Sequence, residues 1–131
     1  MTYQHGTETI LLVDDEESLR TVVVDLLSQF GYHMLSAASG DEAIKIAKEY
    51  PGKIHLLITD VAMDELPGPE LAEKLLKDRP EMKVIFISGF ADGSLAPSGL
   101  RKPGMVLVQK PFSIRTLSAK LREVLGPANH D

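Results

Sequence analysis

The chain has 131 residues, 44% of them hydrophobic and 25% charged, which fits one compact soluble domain and excludes a disordered chain. Lys and Arg number 14 against 19 Asp and Glu, a net charge of −5 that opposes phosphate backbones and anionic lipid, so neither nucleic acid nor a membrane is an expected partner. There is no cysteine, which removes disulfides, thiolate metal sites and cysteine nucleophiles, and no apolar run approaches the ~20 residues of a membrane helix, so a cytoplasmic location is expected.

Met1–Glu8 is polar, lacks the core of a signal peptide and reads as a flexible N-terminal segment. Ile10–Val13 follows as an uninterrupted apolar run, the pattern of a strand buried on both faces in a parallel sheet. Leu19, Val22, Val23, Leu26, Leu27 and Phe30 then recur at helical spacing, and Gly31 is placed to end that helix. Tyr32–Ala37 is a weaker strand signal. Ser39 with Glu42 forms a capping-box signature ahead of Ala43, Ile44 and Ala47, and Pro51 stops the helix. Leu56–Ile58 is the third apolar run, and Leu71, Ala72, Leu75 and Leu76 predict a helix that ends before Pro80.

Val84–Ile87 and Met105–Val108 are the last two runs. The crossover between them, Phe90 to Gly104, holds Gly93, Gly99, Pro97 and Pro103, so its helix is expected to be short or irregular and the segment mobile. Ile114, Leu117, Leu121, Val124 and Leu125 make the final helix, stopped by Gly126 and Pro127. This alternation predicts an α/β fold, a doubly wound five-stranded parallel sheet of (βα)₅ type. The expected boundaries are a flexible segment at 1–8, one folded domain at 9–126 and a flexible tail at 127–131.

In an open parallel sheet the functional crevice lies at the carboxyl ends of the strands. The first run ends in Asp14, Asp15 and Glu16, the third in Asp60, the fourth in Ser88 and the fifth in Gln109 and Lys110. Crowded carboxylates repel, so Asp14, Asp15 and Asp60 imply either a partly protonated cluster or a bound hard cation. Oxygen ligands without cysteine or a positioned histidine favour Mg²⁺. With Lys110 as a further positive charge and Ser88 as a hydrogen-bond donor, such a site suits an incoming phosphoryl group, and an ionised Asp can serve as its nucleophile.

Each piece also has a plainer reading. The acidic run Asp14–Glu17 can simply complement the positive end of the next helix. Asp60 and Ser88 can be turn formers, and Lys110 a solvated residue before a helix. What favours a site is that these residues fall together at strand ends. A nucleotide- or flavin-binding module needs a Gly-rich loop after the first strand, where this chain has Asp14–Glu17. A Mg²⁺-dependent phosphatase with an aspartyl nucleophile usually carries a second Asp two residues after the first, a spacing that Asp14–Asp15–Glu16 lacks. His33 and His55 read as strand-side residues, and the four histidines show no ligand spacing.

The segments ILLVDDEE (Ile10–Glu17), LLITD ending at Asp60, Met63 with Gly68, ISG (Ile87–Gly89) and QKPF (Gln109–Phe112) resemble, in order and spacing, the receiver domain of two-component response regulators over Thr9 to Leu125. The resemblance implies the flavodoxin-like strand order 2-1-3-4-5 and phosphoryl transfer from a phosphohistidine to Asp60. It implies Mg²⁺ held by Asp14, Asp15, Asp60 and the carbonyl of Ala62, with Ser88 and Lys110 contacting the phosphoryl group. The implied partner is a histidine kinase or a histidine phosphotransfer protein, and a homodimer is left open. GTETILLVDDE, the GPEL of Gly68–Leu71, ISGFAD and QKPFS are similar to receivers at the C-terminus of hybrid sensor histidine kinases. A stand-alone single-domain regulator and a degenerate receiver used only for docking are the alternatives. The domain itself would catalyse only its own phosphorylation and dephosphorylation. The chain departs from the family in two places. Asp64 stands where members often carry Pro, and Leu107 stands where many carry a switching aromatic; Leu107 reads equally as core.

Overall fold

The computed structural model describes residues 7–61, 66–88, 105–109 and 112–126. Five strands are present: β1 (Thr9–Val13), β2 (His33–Ala37), β3 (Leu56–Asp60), β4 (Lys83–Ser88) and β5 (Met105–Gln109). They form one parallel sheet in the order β2-β1-β3-β4-β5. The helices among the described residues are α1 (Glu17–Gln29), α2 (Gly40–Glu49), α3 (Gly68–Asp78) and α4 (Ile114–Leu125). The expected irregular fourth crossover lies outside the described residues, as do most of the two expected flexible ends. None of these helices is long and apolar enough to cross a membrane.

The sheet is covered on both faces, which is why its central strands read as unbroken apolar runs. Leu11, Val13, Leu57, Val84 and Phe86 point to one face and pack with α2 and α3 through Ala43, Ala47, Leu71 and Leu75. Ile10, Leu12, Ile58, Ile85 and Ile87 point to the other and meet α1 and α4 through Val23, Leu27, Leu117 and Leu121. β2 is an edge strand with exposed and half-buried positions, so its sequence signal is weak. Leu107 departs from the core reading: it is 41% exposed, on edge strand β5, on the face opposite Val106 and Val108.

Local signals set the helix ends. The Ser39 side chain accepts the Glu42 N–H, and the Glu42 carboxylate reaches back to accept the N–H of Ala38, one residue ahead of the cap. Gly31 follows the C-cap Phe30 with φ 106°, a left-handed conformation that glycine adopts without a steric penalty. Ser113 caps α4 by accepting the Thr116 N–H, and Gly126 ends it with φ 89°.

The amino ends of the strands carry a polar clasp, and Glu8, from the segment expected to be flexible, is part of it. Glu8 bonds Arg122 of α4 at 2.6 Å, and the Glu8 carbonyl accepts the His33 N–H. The Arg122 guanidinium sits 5.7 Å from the centre of the Tyr32 ring and is almost wholly buried. His55 Nδ1 accepts the Thr9 N–H at 3.0 Å, and His33 stacks on Tyr50 with ring centres 6.0 Å apart. Both histidines are thus strand-side residues, as the sequence reading has them.

Candidate functional site

The carboxyl ends of β1 and β3 lie side by side because Val13 is in register with Thr59. The next residue on each strand is an acid, Asp14 on one and Asp60 on the other. Both are buried, 1% and 8% exposed, while Asp15 is exposed. Carboxylate oxygens of Asp14, Asp15 and Asp60 all lie within 4.8 Å of one another. The predicted acid cluster is therefore formed by the fold.

Asp14 is held from three sides. Its N–H donates to the Ala37 carbonyl of β2 at 3.2 Å. Its Oδ1 accepts the Glu16 N–H at 2.8 Å, a side-chain turn that aims the acidic loop. Its carbonyl accepts from Arg20 Nη1 at 2.6 Å, so α1 anchors the loop by a charge-assisted bond. The plainer reading of the run also holds in part. Glu17 lies in the first turn of α1, where a negative charge complements the helix dipole, whereas Glu16, the N-cap, makes no side-chain capping bond.

Asp60 is fixed by its backbone neighbours. The Val61 N–H donates to the Ile87 carbonyl, continuing the β3–β4 ladder one residue past Asp60. The Gly68 N–H then donates to the Val61 carbonyl, drawing the start of α3 against the end of β3. A Cβ at residue 68 would collide with the Asp60 carbonyl oxygen and lie 3.1 Å from Val61 Cα. Gly68 is there because the backbone needs the space.

Ser88 ends β4, is buried, and pairs in register with Gln109 of β5. It stands one position beyond Ile87, the register partner of Asp60, so it belongs to the same edge of the sheet. Lys110 and Ala62 lie outside the described residues, as do Met63, Asp64 and Glu65. Neither Arg20 nor the close packing of Gly68 is signalled by the sequence as part of the site. Arg20 looks like any cation on a helix face, and a glycine at a helix start looks like a loop residue.

The donor set is suited to a hard divalent cation. All the donors are oxygens, two of the acids are buried where like charges are costly, and the exposed third leaves one side open to water.

The model of the response regulator receiver domain matches residues 10–122. Sensor kinase CckA of Brucella abortus (strain 2308) is 38% identical over 120 residues, which is 92% of this chain and 13% of the kinase. The response regulator receiver protein CpdR of the same organism is 34% identical over 116 residues, 88% of this chain and 95% of CpdR. Among solved structures, response regulator protein TrrA from Thermotoga maritima, in complex with Mg(2+)-BeF, superposes with a TM-score of 0.75 at 29% identity, covering 90% of this chain and 99% of that one.

Proposed function

The chain belongs to the response regulator receiver domain family of two-component systems, and from that premise we propose that Asp60 takes a phosphoryl group from a phosphohistidine of a histidine kinase or a histidine phosphotransfer protein. The observation that carries this reading is the meeting of Asp14, Asp15 and Asp60 at the carboxyl edge of the sheet. A carboxylate oxygen of Asp60 attacks phosphorus in line with the histidine nitrogen. The O–P bond forms as the P–N bond breaks, and the imidazole leaves with the electron pair. Asp14 and Asp15 keep that edge negative and preorganised, Ser88 donates a hydrogen bond to a phosphoryl oxygen, and the Lys110 ammonium offsets charge on the acceptor.

Asp14, Asp15, Asp60 and the peptide oxygen of Ala62 would hold Mg²⁺. When bound, the ion compensates the charge of the acids and of the phosphoryl oxygens. The solved structure of TrrA is a complex with Mg(2+)-BeF, which supports Mg²⁺ as the ion. Hydrolysis of the acyl phosphate returns Asp60 to its starting form, so the domain acts only on itself.

The folded unit is read as 9–126, with Glu8 as its anchored threshold, and a cytoplasmic setting follows from a phosphohistidine partner. The match to 13% of a sensor kinase supports a receiver within a hybrid kinase. The match to 95% of CpdR supports a single-domain regulator. A docking-only receiver is disfavoured by the complete acid set.

Acetyl phosphate tests the reading. Intact mass should rise by one phosphoryl group in the presence of Mg²⁺ and stay unchanged with EDTA or in Asp60→Asn. Uptake that ignores Mg²⁺, or persists in Asp60→Asn, would contradict it.

A further inference from the structure

At the opposite end of the molecule from the carboxylates, the C-terminal halves of α2 and α3 enclose a groove of about 350 Å³. Ala47, Leu75 and the half-buried Ile44 line its apolar part. Lys48 from α2 and Lys74 and Lys77 from α3 stand around it, all exposed. Among the described residues none of these three ammonium groups is in an ion pair. Arg79 closes one end. Its guanidinium is bonded to the carbonyls of Ala47, Tyr50 and Gly52, so it adds charge while fixing the end of α2 to the end of α3. Among the described residues the single carboxylate on the groove is that of Asp78.

A cluster of unpaired cations is unexpected on a chain of net charge −5. The helix dipole accounts for Lys48 and Lys77, which lie in last turns, but not for Lys74 or for the apolar strip between the lysines. An excess of positive charge around an apolar cleft, three lysines and Arg79 against Asp78, is the complement of an anionic, amphipathic ligand. A phosphate polymer would gain nothing from Ile44 and Leu75 and would be repelled by the rest of the surface. We propose that the α2–α3 groove docks an acidic peptide segment of a partner protein, with an apolar side chain seated on Ile44, Ala47 and Leu75 and flanking carboxylates on Lys48, Lys74 and Lys77. This site is separate from the acid cluster and does not depend on phosphoryl transfer.

The test uses the full chain, labelled with ¹⁵N, and two short synthetic peptides. One carries glutamates around a central leucine, and the other has the leucine replaced by serine. The leucine peptide should shift amide resonances of α2 and α3 around the groove, leave those of Asp14 and Asp60 in place, and bind several-fold more weakly as salt screens the pairs. The serine peptide and the triple variant Lys48→Glu, Lys74→Glu, Lys77→Glu should each lose about tenfold or more in affinity. If charge reversal unfolds the chain, the triple glutamine variant should show a loss in the same direction. Absence of binding, equal binding of the two peptides, shifts spread over other surfaces, or unchanged affinity in the folded variants would overturn the proposal.

Discussion

Gly68 shows how one residue without a side chain controls the site. Its N–H bonds the Val61 carbonyl, and its Cα lies so close to the Asp60 carbonyl that a methyl group cannot be added without movement. Asp60 is thus positioned by the start of α3 as well as by its own strand. Gly68→Ala should destabilise the domain by about 1–3 kcal/mol, the usual cost of overpacking, and should slow phosphoryl uptake because the backbone of Asp60, the proposed acceptor, must shift. Urea unfolding and the acetyl phosphate assay check the two effects. Wild-type values for both would show that the contact relaxes freely. Arg20 acts at the same scale from the other strand, holding the Asp14 carbonyl by a side chain whose partner no sequence spacing identifies.

Between elements, the clasp of Glu8 and Arg122 ties the approach to β1 onto α4. Burial by itself raises the Glu8 carboxyl, but the hydrogen bond and charge of Arg122, together with backbone N–H groups, bring it below its ordinary value of 4.5. A carboxyl whose folded value is depressed contributes stability above the unfolded value and loses it as pH falls through the folded one. Glu8→Gln should destabilise the domain near neutral pH by about 1.5–3 kcal/mol, the scale of a hydrogen bond to a charged group. The deficit should shrink as pH falls from the ordinary value of 4.5 through the lowered folded one, because the wild-type carboxyl loses its charge over that range. Urea unfolding of both proteins at about pH 7 and about pH 3 measures this; a deficit that does not change with pH would contradict the clasp. Burial raises the neighbouring Tyr32 hydroxyl above its usual value, opposed by the charge of Arg122.

For the molecule as a whole, what the sequence reveals depends on how local the cause is. Ile10–Val13, Leu56–Ile58 and Val84–Ile87 are legible because a strand buried on both faces must be apolar throughout. Ser39 with Glu42 and Gly31 are legible because capping and left-handed backbone act within a few residues. Asp14, Asp15, Asp60 and Ser88 are legible because a parallel sheet gathers its strand ends at one edge. Glu8 with Arg122, Arg20 with Asp14, and Gly68 against Asp60 depend on long-range juxtaposition or close backbone approach, and none leaves a periodic signature. Leu107 misleads for the same reason: an apolar residue in a strand pattern does not say that the strand lies at an edge of the sheet.

On the proposed function, the acid ending β3 is the one that carries phosphorus. Borohydride reduction of the phosphorylated chain, followed by proteolysis and peptide mass spectrometry, tests it most directly, since an aspartyl phosphate is reduced to homoserine where it stands. Homoserine is expected at residue 60 and nowhere else. Homoserine at residue 14 or 15, or phosphate found on a serine or histidine, would contradict it.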